Sequence, residues 1–431
     1  MVITFARLFL EFGRIFFFLS STLSVRLLCQ KREKEVFPLF QNSLSPLCEK
    51  EPPVQYTWLS SEIRCEAAVI GGNMTGCVTA AELARSGIDT VLLSAQPVGN
   101  ESAGVIPAML QTGLLTMGAL SKKTDMETAV AAFRDFALAA DQMERETAEN
   151  GIPFARRDVL LCSDDEKDMP MLEEEYRLRR HNGLPAVLLS ADTLREQYSF
   201  SAKHALLIAN GAVAVDPVRM SQHYAAKAVS GGARVFEQTD VLEVCRDKGL
   251  YRIKTATGRE VFAKYLVLAQ PFSIDGINEL RVRRRVYASA SAPCSDFSGY
   301  ESKAALFFCD RSLSVFTAED ERIVAFGTES ALTSRTPRRT RRFEQLEERC
   351  GELLCGTRPV FPDRRASQLY QATRDGLPMI GAVSEAIEDS NMLAAIPSSP
   401  DEMTAALLAA PIISALCAGT HPYNPYAPER S

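Results

Sequence analysis

Six consecutive residues that follow the first apolar strand have the types and spacing of a ligand-binding turn. They are Gly71, Gly72, Asn73, Met74, Thr75 and Gly76. In a turn that binds a dinucleotide, the first glycine makes a tight bend, the second lets the backbone approach a pyrophosphate, and the third lets a helix pack against the strand. Gly71 and Gly76 stand at the first and third of these positions, and Asn73 stands at the second. The sequence therefore predicts a phosphate-cradling turn with one altered position.

The residues on both sides of this turn predict a βαβ unit. An apolar strand over residues 67–70 precedes the turn, a small-residue helix over 75–86 follows it, and a second strand runs over 90–94. An acidic residue that holds a ribose hydroxyl is expected about 20 residues after the turn, and Ser94 stands there instead. Glycines that serve packing alone produce the same spacing, so the pattern predicts the βαβ unit and leaves its ligand open.

Composition narrows the class of protein. With 431 residues, the chain is long enough for two or three domains with full cores. Its apolar content of 46% and charged content of 24% are those of an ordinary soluble protein. The net charge of -6 argues against nucleic acid or an acidic membrane as the principal partner. We interpret the basic runs at 281–285 and 335–342 as solvated surface.

Cysteines and histidines do not form a metal-binding pattern. The 11 cysteines include no C-x-x-C pair, and the 4 histidines are scattered along the chain. Protein metal sites need such ligands at short, regular spacing. We therefore expect no metal, and we interpret the cysteines as reduced thiols of a cytoplasmic protein.

Residues 1–34 differ from the rest of the chain. The uncharged run between Arg14 and Arg26 is about half of the 20 residues that a membrane span needs. A basic start before an apolar run also occurs in signal peptides, but Glu11 interrupts it and no small-x-small cleavage site follows. We interpret the segment as an upstream extension, with export or membrane association as the alternative. Residues 35–64 then form a proline-punctuated arm.

The remainder predicts helices and strands of two kinds. Helices are expected over 125–150, 168–182, 217–230, 341–354 and 401–417, and strands over 154–162, 186–190, 205–215, 233–236, 241–246, 251–255 and 265–269. The last of these strands is continuously apolar, as in a sheet that is covered on both faces. From 286 to 326 apolar and polar residues alternate, which predicts a mostly antiparallel sheet with one open face.

Taken in order, these motifs resemble the FAD-dependent amino-acid oxidase and dehydrogenase family, which includes glycine oxidase and the D-amino-acid dehydrogenases. The segments that carry the resemblance are VIGGNMTG, VGNESAG, the VDP helix with GGARVFEQTDV after it, KYLVLA, and ATRDGLPMIG near the C-terminus. They cover about residues 35–418, which is nearly the whole chain.

The resemblance implies an α/β protein in which a Rossmann-like FAD-binding domain is interleaved with an antiparallel-sheet α+β substrate domain. It assigns residues 65–120, 205–275 and 370–420 to the FAD-binding domain, 121–204 and 276–369 to the substrate domain, and 421–431 to a tail. The family oxidises amines or amino acids by hydride transfer to the flavin. A small-molecule amine or amino acid is therefore the implied substrate.

The same resemblance implies roles for individual residues. Gly71, Gly72 and Gly76 would face the pyrophosphate, with Asn73, Met74 and Thr75 in the same turn and Ser94 by the ribose. Further residues implied at the cofactor are Ser102 in a loop, Val241 at the adenine, and Asp375, Gly376 and Gly381 at the flavin ring. Arg374 is the candidate for holding a substrate carboxylate, and a surface arginine before a turn is the alternative.

Four departures from the family pattern fall at cofactor positions. Asn73 replaces a glycine, and Ser94 replaces an acid, which loses a charge-assisted hydrogen bond of about 1.5 to 3 kcal/mol. The family has A-T-G at the end of a strand, and in this chain proline stands at the glycine position, as Pro271. The family also has a glycine-rich turn before the last helix, and this chain has IPSSPDEM there, which contains Asp401 and Glu402. Carboxylates there satisfy the positive end of the helix. Two hypotheses follow: a working FAD-dependent oxidoreductase, or a relative that binds flavin weakly or not at all and has a binding or regulatory role.

Overall fold

The computed structural model describes residues 54–100, 116–198, 200, 202–269, 281–310, 313–318, 320–330, 336–383, 391–398 and 402–428. The N-terminal extension and most of the arm lie outside these ranges. Within them the helices are α1 (Met74–Arg85), α2 (Met117–Ser121), α3 (Met126–Asn150), α4 (Met169–His181), α5 (Ala191–Gln197), α6 (Pro217–Ser230), α7 (Thr336–Leu353) and α8 (Met403–Cys417). The strands are β1 (Ile63–Ile70), β2 (Thr90–Leu93), β3 (Phe154–Ser163), β4 (Val187–Ser190), β5 (His204–Val215), β6 (Arg234–Phe236), β7 (Val241–Asp247), β8 (Leu250–Thr255), β9 (Glu260–Leu268), β10 (Arg281–Pro293), β11 (Ala305–Phe308), β12 (Ser314–Thr317), β13 (Arg322–Ser330), β14 (Arg364–Thr373), β15 (Met379–Ala382) and β16 (Met392–Ile396).

The first sheet contains the predicted βαβ unit. Its strand order is β15-β16-β9-β1-β2-β6, and β8 joins β9 and pairs with β7. Strand β1 lies parallel to β2, with Ala67 opposite Thr90 and Ile70 opposite Leu93, and also parallel to β9. The apolar end of β9 is fully buried, as expected for a strand covered on both faces. Helix α1 packs between α6 and α8 on one face of this sheet.

The ends of several helices follow from capping residues. Asp216 accepts hydrogen bonds from the amides of Val218 and Arg219, and Pro217 begins α6, so this helix has the bounds predicted from sequence. Asp125 caps α3 in the same way, and Gly151 ends it in a left-handed conformation with φ of 63°. Local chemistry therefore determined these boundaries.

The second sheet is mostly antiparallel, in the order β14-β10-β13-β12-β11-β3-β5-β4, with a parallel pair only where β11 meets β3. The prediction that one of its faces is open was wrong. One face packs against Leu172 of α4, and the other packs against Phe343, Leu346 and Cys350 of α7. All four residues of β11 are buried. The covering helices come from distant parts of the sequence, which a local alternation pattern does not reveal.

The two sheets alternate along the chain, which confirms the predicted α/β class with interleaved parts. Strands β1 and β2 belong to the first sheet, β3 to β5 to the second, β6 to β9 to the first, β10 to β14 to the second, and β15 and β16 to the first. The exact domain boundaries stay a prediction. Strand β5 pairs with β3 and β4 in the second sheet, although residues 205–215 were assigned to the cofactor domain.

Across the part of the chain that the structure describes, no helix is both long and apolar enough to cross a membrane.

Candidate cofactor site

Gly71 and Gly76 have the geometry that a dinucleotide-binding turn requires. Gly71 has a φ of 126°, which L side chains rarely adopt. A Cβ on Gly76 would lie 1.9 Å from the Gly71 carbonyl oxygen and 3.3 Å from the Cβ of Ala269 at the end of β9. Helix α1 can therefore start this close to the strand ends only with glycine at both positions.

Gly72 and Ser94 meet directly at the carboxyl end of β2. A Cβ on Gly72 would lie 2.0 Å from the Oγ of Ser94 and 2.5 Å from its Cβ. The Ser94 hydroxyl donates a hydrogen bond of 2.5 Å to the Gln96 carbonyl, and the Ser94 amide donates to the Phe236 carbonyl at 2.8 Å. Ser94 is fully buried. It stands where the ribose-binding acid was expected, but its hydroxyl proton is used in the hydrogen bond to the Gln96 carbonyl.

Asn73 is the N-cap of α1. Its Oδ1 accepts a hydrogen bond from the Gly76 amide at 2.9 Å, and its Nδ2 donates to the Ala269 carbonyl at 2.9 Å. The backbone is extended, with φ of -77° and ψ of 176°, so this position does not require a glycine for conformational reasons. The side chain is only 2% exposed. An asparagine is therefore accommodated here without strain, joining the helix start to the end of β9.

The two residues that follow Asn73 are both buried. Met74 packs in the hydrophobic cluster between the first sheet and its helices. Thr75 is fully buried, and its Oγ1 has no hydrogen-bond partner among the described residues. A buried hydroxyl in this condition costs free energy unless another molecule supplies the missing partner.

Glu237 is a functional candidate that the sequence interpretation missed. It follows β6 and is fully buried. Its Oε1 accepts from the Val98 amide at 2.6 Å, and its Oε2 accepts from the amides of Gln55 and Tyr56 at 2.7 and 2.9 Å. One carboxylate thus joins the N-terminal arm to the loop after β2. An acid directly after a predicted strand, in GGARVFEQT, was the available signal.

The loop held by Glu237 also touches the glycine turn. The Gly99 amide donates to the Gly72 carbonyl at 2.9 Å. From the arm, Tyr56 lies close to both Glu237 and Cys77 of α1: burial raises the pKa of its hydroxyl, and the nearby Cys77 and Glu237 raise it further. The arm, the loop and the turn therefore form one connected unit.

Val241 lies next to this unit, at the start of β7. It is buried and packs in the cluster that contains Ile70 and Leu93. Two residues before it, the Thr239 amide donates to the Ser94 carbonyl at 2.8 Å. The structure thus brings together the residues implied for the ribose and the adenine. Their contact with a cofactor stays a prediction.

Residues 374–377 form a turn that is tied to the segment before α8. The Gly376 amide donates to Thr373 Oγ1 at 3.1 Å, and Ser398 Oγ donates to the Gly376 carbonyl at 2.8 Å. The Leu377 amide donates to Asp375 Oδ1 at 3.1 Å. Backbone amides and carbonyls of this turn are therefore fixed by neighbouring polar groups.

Gly381 lies against the C-terminal tail and Arg374 lies at the surface, and the role implied for Gly381 at the flavin ring stays a prediction. A Cβ on Gly381 would lie 2.8 Å from Nδ2 of Asn424, which donates to the Ile380 carbonyl, so Gly381 makes room for the C-terminal tail. The Arg374 side chain is exposed, and its carbonyl accepts from Lys123 Nζ at 2.6 Å. The role of Arg374 toward a carboxylate stays a prediction.

Three cofactor positions named from the sequence lie outside the described residues: Ser102, Pro271 and Asp401. Glu402 is described and stands at the N-cap of α8. Its carbonyl accepts from the Ala406 amide at 2.9 Å, and its side chain makes no capping hydrogen bond. The expectation that the charges of Asp401 and Glu402 satisfy the positive end of this helix stays a prediction.

A separate cavity of about 840 Å³ lies between α7 and the strands β10 and β13. Glu329 is one of its acidic lining residues, and this carboxylate accepts hydrogen bonds from the Tyr287 hydroxyl at 2.6 Å and from Arg342 Nε at 3.0 Å. These polar groups satisfy each other. The cavity lies on the second sheet and does not include the glycine turn.

Comparison with known proteins identifies the family. Residues 66–416 match the family described as FAD dependent oxidoreductase. Glycerol 3-phosphate dehydrogenase of Caloramator mitchellensis is 26% identical over 222 residues, covering 50% of this chain and 43% of that protein. Glycine oxidase of Bacillus subtilis (strain 168) is 27% identical over 208 residues, covering 47% of this chain and 53% of that protein. The chain thus spans about half the length of these curated relatives.

The fold is shared more widely than the sequence. The crystal structure of glycine oxidase from Geobacillus kaustophilus superposes with a TM-score of 0.69 at 17% identity, covering 86% of this chain and 99% of that one. This likeness establishes a common fold, and the match over residues 66–416 confirms the resemblance inferred from the motifs. The chain belongs to the FAD dependent oxidoreductase family.

Proposed function

We propose that this protein is an FAD-dependent oxidoreductase that oxidises an amine or an amino acid by hydride transfer to the flavin. The observation that carries the proposal is the turn from Gly71 to Gly76, which keeps its tight bend and close helix packing within a chain of this family. Glycine oxidase occurs both among the sequence relatives and among the superposed structures, which supports a substrate with an amino group.

The residues of the turn fit the diphosphate of FAD. The amino end of α1 provides positive potential at the carboxyl edge of a parallel sheet. Thr75 offers a hydroxyl that has no hydrogen-bond partner among the described residues. When bound, the flavin supplies the hydride acceptor.

The chain's own groups would hold and shape this site. Glu237 fixes the loop that donates the Gly99 amide to Gly72, and it is itself held by amides of the arm. Ser398 fixes the turn around Gly376, which the resemblance places at the flavin ring. Rigid support of this kind keeps bound groups in register for hydride transfer.

The second candidate is a relative that binds flavin weakly or not at all. Asn73 favours this candidate, because its side chain already caps the helix start that would receive the diphosphate. Ser94 also favours it, because a buried serine that donates to Gln96 replaces a ribose-binding carboxylate. The free energy of FAD binding that is lost through these two replacements decides whether FAD is bound tightly or weakly.

Anaerobic reduction of the FAD-loaded protein tests the proposal. Substrates to compare are glycine, other D- and L-amino acids, simple primary and secondary amines, and glycerol 3-phosphate, with free FAD as the control. We expect at least one amine or amino acid to bleach the visible flavin band, and glycerol 3-phosphate to leave it unchanged. If only glycerol 3-phosphate bleached the flavin, the substrate would be a polyol phosphate and not an amine or amino acid. Failure to bind FAD would favour the second candidate.

A further inference from the structure

The N-cap of α1 differs from the other side-chain caps in the described part of the chain. Asp125 of α3 and Ser190 of α5 are exposed, as helix caps at a surface usually are. Asn73 is buried, and it makes two hydrogen bonds to groups on different elements: the Gly76 amide and the Ala269 carbonyl. Its amide group therefore lies across the carboxyl ends of β1 and β9.

This location is where the fold receives a phosphate. Ligands of open parallel sheets bind in the crevice outside the carboxyl ends of the strands, with an anion at the helix start. The amides of the first helical turn are the donors for such an anion. In this protein the Gly76 amide is already paired with Asn73, because Oδ1 accepts from it at 2.9 Å. An N–H group makes one strong hydrogen bond at a time, so a phosphate oxygen and Asn73 Oδ1 compete for the Gly76 amide.

We infer that Asn73 is a built-in competitor of the FAD diphosphate, and that FAD binds only when this side chain leaves its cap. The inference rests on the proposed function, since it concerns the same cofactor site. Leaving the cap breaks two hydrogen bonds, and the Ala269 carbonyl loses its partner. A neutral amide does not cancel the positive end of the helix, so the site still attracts a doubly charged diphosphate.

Competition of this kind lowers affinity without abolishing it. Two buried hydrogen bonds of ordinary net strength correspond to about a tenfold to hundredfold loss in affinity for FAD.

Titration of the purified full-length chain with FAD tests the inference through flavin fluorescence and calorimetry, without measuring turnover. Asn73→Gly removes both hydrogen bonds, and the observed φ and ψ allow either residue. We expect this variant to bind FAD about tenfold to hundredfold more tightly than the parent and to melt at a lower temperature without FAD. Asn73→Asp keeps the acceptor for the Gly76 amide, loses the donor to the Ala269 carbonyl and places a charge at the diphosphate, so we expect at least about tenfold weaker binding.

Probes that contain only part of the cofactor locate the effect. ADP carries the diphosphate without the flavin, so its affinity should rise in Asn73→Gly, whereas riboflavin, which has no phosphate, should bind the two proteins equally. Asp125→Gly is the matched control, because it removes a helix cap far along the chain and should leave FAD affinity unchanged.

The outcomes separate the inference from the proposed function. Tighter FAD and ADP binding by Asn73→Gly with weaker binding by Asn73→Asp supports the inference. Equal FAD affinity in the parent and both variants overturns it while leaving the proposed function intact, and an equal gain for riboflavin overturns its assignment to the diphosphate. No FAD binding by the parent and by Asn73→Gly overturns the proposed function, and the inference falls with it.

Discussion

Ser94 occupies the space above the α-carbon of Gly72, with its Oγ 2.0 Å from the point where a Cβ on Gly72 would stand. The two residues belong to different elements, the glycine turn and the end of β2. Each restricts the other, since a side chain at position 72 needs the volume that Ser94 fills. Gly72 is therefore required by a neighbour as well as by any ligand.

This relationship predicts strong coupling between the two positions. Gly72→Ala should destabilise the protein by roughly 1 to 3 kcal/mol, because Ser94 must move from a fully buried place. Ser94→Gly removes both clashing atoms, so the double variant should recover much of that loss. Urea denaturation of the four proteins measures the coupling energy. Equal losses from Gly72→Ala in the two backgrounds would contradict the observed packing.

Gly76 should tolerate no side chain. A Cβ there would lie 1.9 Å from the Gly71 carbonyl oxygen and 3.0 Å from its carbon, and backbone atoms yield little. We expect Gly76→Ala to lower the melting temperature by many degrees or to prevent folding. Gly351→Ala is the control, because no heavy atom of the described residues lies within 4 Å of its added Cβ and alanine favours helix α7 by about 0.5 to 1 kcal/mol. Opposite signs for the two variants are the expected outcome, measured by thermal denaturation.

Glu237 should be essential for holding the arm. Glu237→Gln replaces one accepting oxygen by a donor that faces backbone amides, and we expect a loss of roughly 2 to 4 kcal/mol in the free energy of unfolding. Chymotrypsin should then cut faster after Tyr56 or Trp58, which lie in the arm. Glu196→Gln, at an exposed carboxylate, is the control. Unchanged cleavage in Glu237→Gln would argue against this carboxylate as the anchor.

Glu146 should produce acid-dependent stability. Burial by itself raises the pKa of Glu146, but hydrogen bonds and charge from His223 and Lys227 outweigh burial and lower the pKa below its ordinary value of 4.5. A carboxyl with a lowered pKa in the folded state stabilises the protein above 4.5, and this contribution disappears as the pH falls through the folded-state value. We expect Glu146→Gln to melt below the parent at neutral pH and the difference to shrink in acid below pH 4.5.

Glu149→Gln provides the comparison for this pH series. Glu149 lies on the same helix and is exposed. Its variant should follow the melting curve of the parent at every pH. A constant difference between Glu146→Gln and the parent from neutral pH into acid would exclude the proposed ionic contribution.

The glycine turn and the start of α6 could be predicted because they depend on residues that are close in sequence. The requirements at Gly71 and Gly76 lie within six residues of each other, and Asp216 and Pro217 define the start of α6 by themselves. These features depend on neighbours in sequence, so the sequence alone predicts them. The family match then confirmed the fold that they implied.

Long-range contacts account for what the sequence did not reveal. Glu237 accepts hydrogen bonds from backbone amides of residues that lie 139 to 182 positions away along the chain. Asn73 looked like a lost glycine, whereas its extended backbone and its bond to Ala269 make it a buried cap. The closed second face of the antiparallel sheet likewise depends on α7, which no alternation within the strands could indicate.

Whether this protein holds a flavin is decided by its visible absorption spectrum after incubation with excess FAD and rapid removal of free cofactor. We expect flavin bands that stay with the protein and that appear as free FAD on denaturation. A colourless protein that remains colourless at every FAD concentration tried would contradict it.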